Sequence, residues 1–78
     1  MLTGSQIRAA RALLNWSGED LAKKIGLARH TIMNLEKSDG VPPSRTQTIL
    51  DIKTAFEDAG IEFIGSPENG AGVRFKLK

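Results

Sequence analysis

The chain contains no cysteine and a single histidine, His30. Without thiols it can form neither a disulfide nor a thiolate nucleophile, and Cys/His metal sites have almost nothing to draw on. No His, Cys and carboxylate residues stand at metal-binding spacing, and no glycine-rich loop leads from a strand into a helix to cradle a phosphate cofactor. Asp51, Glu57 and Asp58 fall on an exposed helical face, with no sign of a cleft that would raise a carboxyl pKa. These absences argue against an enzyme, a resident metal and a cofactor. No apolar run approaches transmembrane length, and the opening residues, MLTGSQIRAAR, lack the apolar stretch of a secretory signal. A soluble cytoplasmic protein is the expectation.

What remains is a chain of 78 residues, near the lower limit at which a hydrophobic core alone holds a fold. Oligomerisation would help it. The net charge of +2 says little by itself, but its distribution says more. Residues 1–45 carry seven Lys/Arg against four acids, residues 46–60 one against three, and the remainder three against two. Positive charge therefore collects in the first half and at the far C-terminus, where phosphates could be met.

The most organised stretch is SGEDLAKKIGLARHTIMNLE, from Ser17 to Glu36. Ser17 can cap a helix, with the Asp20 carboxylate reaching back as a short-armed capping box. Trp16 and Leu21 flank that cap at the spacing of a hydrophobic staple. Leu21, Ala22 and Ile25 form an apolar stripe, and Gly26 follows where a left-handed helix end favours a residue without a side chain. A second helix, over residues 28–37, puts Ala28, Ile32 and Leu35 on one side. Arg29, His30, Met33, Asn34 and Lys37 fall on the other. Two short helices joined by a glycine-containing turn make a helix-turn-helix.

Around this pair the chain is simpler. Thr3 and Gln6 form a capping box, with Leu2 and Ile7 as staple, for a first helix running to about Leu14 on a stripe of Ile7, Ala10 and Leu14. Arg11 lies on the same stripe. KSDGVPPSR reads as a loop, after which Ser44 to Gln47 cap a fourth helix reaching Ala59, with Ile49, Ile52, Phe56 and Ala59 inward and Gly60 ending it. The last residues alternate apolar and polar, Ile61-Glu62-Phe63 and then Val73 to Lys78, so a β-hairpin is expected with Asn69-Gly70 as its tight turn. Val73, Phe75 and Leu77 should face inward or across a dimer axis, because a lone two-stranded ribbon leaves its edges unpaired. The expected fold is mainly α, four helices plus a C-terminal hairpin. The helical unit is 1–60 and the hairpin unit 61–78, packed on the same core.

Arg11, Leu21-Ala22, Gly26, Ile32 and Leu35-Glu36 stand in the pattern of the phage-repressor type of helix-turn-helix domain, and the chain resembles the Cro/Xre family over residues 3–60. The resemblance implies a four-helix, lambda-repressor-like domain of prokaryotic or phage origin that binds double-stranded DNA as a homodimer. It implies that Arg29, His30 and Asn34 reach base edges. The chemistry agrees: Arg suits guanine, Asn suits adenine, and Met33 can pack on a thymine methyl, although a merely solvated helix face has the same composition. For Arg11 the resemblance implies an ion pair with Glu36, against the plainer reading of a long side chain lying along the core edge. Ser17 and Gly18, at a helix N-terminus, suit a phosphate, and Lys37, Ser38 and Arg45 flank the recognition helix as further phosphate contacts or simple solubility charges. The family often carries Gln where Gly18 stands and Ser or Thr where Ala28 stands, so here the backbone must meet that phosphate and helix 28–37 starts without a capping side chain. The expected function is a sequence-specific transcriptional regulator, a repressor. The alternative is an antitoxin whose principal partner is a toxin and whose DNA binding is secondary.

Overall fold

The structure, a computed structural model, describes residues 2–37, 46–66 and 69–76. Within them the chain forms α1 (Gly4–Leu14), α2 (Gly18–Ile25), α3 (Arg29–Glu36), α4 (Thr46–Asp58), β1 (Ile61–Ile64) and β2 (Gly72–Phe75). The expected mainly α fold with a C-terminal antiparallel hairpin is thus what the molecule adopts. Ser38, Arg45, Leu77 and the loop before α4 lie outside the described residues.

Both capping boxes form. The Thr3 hydroxyl accepts from the Gln6 amide at 3.1 Å while Gln6 Oε1 accepts from the Thr3 amide at 2.9 Å. Ser17 and Asp20 do the same at the start of α2, at 3.0 and 2.8 Å. Asn15 ends α1 in left-handed backbone, a role asparagine tolerates. Gly26 ends α2 the same way at φ +71. The next helix begins at Arg29 rather than Ala28. Ala28 is its exposed N-cap and not part of the inward face, because its backbone is extended (φ −74, ψ 148) and the helical projection does not reach it.

The core gathers Leu2, Ile7 and Ala10 around α1, Leu21 and Ala22 from α2, Ile32 and Leu35 from α3, Ile49, Ile52 and Phe56 from α4, and Ile61 from β1. Trp16 reaches across to stack on Phe56, with ring centroids 5.5 Å apart, and Phe63 meets Phe56 edge-on at 5.9 Å. The hairpin is part of this core, with α1 against β2 and α4 against β1.

The hairpin departs from the sequence reading in two ways. Its strands pair Ile61 with Phe75, Phe63 with Val73 and Ile64 with Gly72, so the loop runs from Gly65 to Ala71. An Asn69-Gly70 two-residue turn would have paired Glu68 with Ala71, a different register. The observed one is held by buried Ile61 at one end. At the other, Gln6 Nε2 donates to the Gly72 carbonyl at 2.9 Å. The second departure concerns Phe75, expected to face inward. It sits opposite Ile61 on the inward face, but that face runs past the edge of the core and Phe75 stays 47% exposed. Val73 is half-buried against the core.

Candidate nucleic-acid interface

The geometry starts at Glu36, in the last turn of α3, which is buried although charged. Arg11 reaches it from α1 with a two-pronged grip, Nε to Oε2 and Nη2 to Oε1, each 2.6 Å. Its third donor, Nη1, goes to the Trp16 carbonyl at 3.0 Å. A planar fork on a carboxylate is the strong form of ion pair, and the hydrogen bond to Glu36, opposed in part by burial, raises the Arg11 pKa above its ordinary value. The ion-pair reading of Arg11 is therefore the one the structure adopts, and its effect is to tie α1 to the end of α3.

With its inner side fixed by Ile32 and Leu35, α3 turns Arg29, His30, Met33 and Asn34 outward, all of them exposed. Beside them opens a shallow cleft of about 430 Å³ between α1, α2 and α3. Arg8, Arg11, Ser17, Gly18, Arg29, Met33, Glu36 and Lys37 line it. Arg11, Ser17, Gly18, Arg29, Met33, Glu36 and Lys37, singled out from sequence, thus meet in one place. His30 and Asn34 share the exposed helix without lining the cleft. The lining holds four cations and one carboxylate, so an anion entering would find an excess of positive charge even with Arg11 neutralised by Glu36.

At the mouth of α2 the capping box uses the amides of Ser17 and Asp20. The backbone and hydroxyl of Ser17, in that order, hold the Asp20 carboxyl below its ordinary pKa. Among the described residues the amides of Gly18 and Glu19 donate to nothing, and a Cβ built on Gly18 would have no atom within 4 Å. The helix start is therefore bare on the side of the cleft. Lys23 and Lys24 stand elsewhere, Lys23 beside Glu19 at 3.4 Å and Lys24 over the Trp16 ring at 4.7 Å, as structural or solvated charges.

Arg8 is the residue that sequence reasoning missed. It follows from the helical spacing of Arg8 and Arg11, three apart and so on one face of α1, once Arg11 is known to face α3. A second cleft, of about 380 Å³ between α4 and the hairpin, has apolar walls at Leu2, Ile49, Leu50 and Phe63. Only Lys53 and Glu57 bring charge to it, with opposite signs, so it has no bias towards an anion. Among the described residues no cluster of three potential metal ligands occurs, and no helix is long and apolar enough to cross a membrane. Neither a protein-family model nor a curated protein sequence matches the chain.

Proposed function

We propose that the protein is a sequence-specific, double-stranded-DNA-binding transcriptional regulator of the Cro/Xre, lambda-repressor-like type, acting in the cytoplasm as a repressor. The observation that carries this reading is the two-sidedness of α3. Its inner side is buried and clamped to α1, while its outer side offers Arg29, His30, Met33 and Asn34 beside a cleft rich in cations. A short helix held in this way can enter a major groove, with Arg29 and Asn34 on base edges and Lys37 and the bare start of α2 on phosphates. The test is selection of bound sites from random duplexes, followed by a salt titration on the recovered site. Six to ten phosphate contacts would cost about 10³–10⁵ in affinity between roughly 50 and 200 mM salt. Absence of binding to any duplex at low salt would sink the proposal.

One observation supports a protein partner as well. Among the described residues β2 has a strand neighbour on one edge alone, β1, and Phe75 on it is half exposed. A second copy joined at this edge gives the homodimer that a two-fold DNA site needs. An antitoxin would use the same edge for its toxin, and a stoichiometric second protein on purification from the native host would favour that alternative.

A further inference from the structure

A helix that reads a groove must be held at a fixed roll and at a fixed point along its axis. In α3 the roll is set by buried Ile32 and Leu35. The axial position is less secure, because neither end of the helix caps itself. Ala28 makes no side-chain cap, and Lys37 continues in right-handed backbone instead of turning off through a left-handed residue. The last carbonyls of such a helix need donors from elsewhere. Arg8 provides one: its Nη1 donates to the main-chain carbonyl of Glu36, and its Nη2 donates to the Ser5 hydroxyl at 3.0 Å.

We propose that Arg8 is a positioning residue for base recognition, capping the C-terminal end of α3 from α1 and thereby fixing where Arg29 and Asn34 meet the bases. The inference rests on the DNA-reading function proposed above. Glu36 is held twice, through its carboxylate by Arg11 and through its main chain by Arg8. The first grip tolerates some sliding, since a side chain can swing with the helix. The second tolerates less, since it holds the backbone itself and leaves only the Arg8 side chain to swing. A cation at this end also suits the helix dipole. With one guanidinium prong on Ser5 and the other on α3, Arg8 is oriented along the protein surface. That makes it a brace between helices in the first place, although it lines the cation-rich cleft.

The experiment uses the full chain, the duplex recovered by selection, and the variants Arg8→Met and Arg8→Lys. Affinity is measured across single-base variants of that duplex and across salt, and amide hydrogen exchange is followed in the last turn of α3. Arg8→Met should speed that exchange and reduce discrimination at the bases read by Arg29 and Asn34 by about tenfold. Arg8→Lys keeps the charge and the salt slope but has no planar fork to bridge Ser5 and Glu36, so it should shift both readouts the same way, by less. A uniform loss across all duplexes with a salt slope lower by about one and unchanged α3 exchange would make Arg8 a phosphate contact and overturn the proposal. Unchanged exchange together with an unchanged base profile would overturn it too. If Arg8→Met fails to fold, the same two readouts in Arg8→Lys decide. If the unaltered protein binds no duplex, the DNA reading fails, while the bracing of α3 still stands or falls with the exchange measurement.

Discussion

Glu36 is a charged residue in the core wall, and its worth depends on what Arg11 does. Two short charge-assisted bonds join them across 25 positions of sequence. The Arg11 side chain is 23% exposed, so solvent screens the pair only in part. Glu36→Ala would leave that guanidinium with the Trp16 carbonyl and water, at a cost of about 2 kcal/mol. For a chain this small, thermal unfolding should then show Tm lower by roughly 10 °C. On the other side of α3 the expected effect is on binding instead. Arg29→Ala should lose about 1–3 kcal/mol on the recovered site and relax preference at one base position, with Tm nearly unchanged because Arg29 is exposed. A panel of single-base duplexes reads the first effect and calorimetry the second. The exposure of Arg29 was legible in the sequence from helical projection, and the pairing of Glu36 from the helix-turn-helix pattern that the sequence resembles. Arg8 was not, because its bond goes to a carbonyl, and every residue has one of those.

At the scale of elements, α2 and the hairpin differ in how much of them is local. The start of α2 is written in five consecutive residues, and cap, box and left-handed end all form as the sequence implies. Ser17→Ala should cost about 1 kcal/mol, visible as reduced exchange protection in the first turn of α2. Its pH dependence follows from Asp20, whose carboxyl is held below its ordinary pKa by the Ser17 backbone and hydroxyl. A depressed folded-state pKa means the box contributes fully above the ordinary carboxylate range and is lost as pH falls through the lowered value. The Asp20 grip on the Ser17 amide should therefore outlast the ordinary carboxylate range and loosen below it, while the Ser17 hydroxyl keeps its bond to the Asp20 amide, and Asp20→Asn should remove that acid step from an NMR titration of the Ser17 amide. The hairpin is the opposite case. Asn69-Gly70 is a strong local turn signal, yet it is overruled by Ile61 in the core and by Gln6 on Gly72, both set by distant parts of the chain. The glycine that matters in this loop is Gly65, at φ +75, where a Cβ would overlap the Gly70 carbonyl oxygen. Gly65→Ala should open the hairpin and cost upwards of about 1 kcal/mol, measured by denaturant titration.

For the whole molecule, size bears on the partner question. The Cα trace spans 29 × 28 × 19 Å and carries a single α3, against about 34–36 Å between successive major-groove faces of DNA. One copy can present one α3 to one groove, and a site with two-fold symmetry needs two. Lysine in place of Phe75 should leave the fold intact, since the ring is half in solvent, but should shift the sedimentation of a dimer towards monomer and weaken binding to a two-half-site duplex more than to a single half-site. The chain sedimenting as a monomer at high micromolar concentration would remove the hairpin edge as a homodimer interface and leave it only to a different partner. The Gln6 amide has a last consequence, and it lies in time. That one side chain completes the cap on the first helix and grasps Gly72, 66 positions later. At about 5–20 residues per second, the ribosome makes the second partner roughly 3–13 seconds after the first. Throughout that interval the helices can form and Arg11 can take hold of Glu36, but Gln6 cannot yet grip β2, so the hairpin is the last described element to lock onto α1.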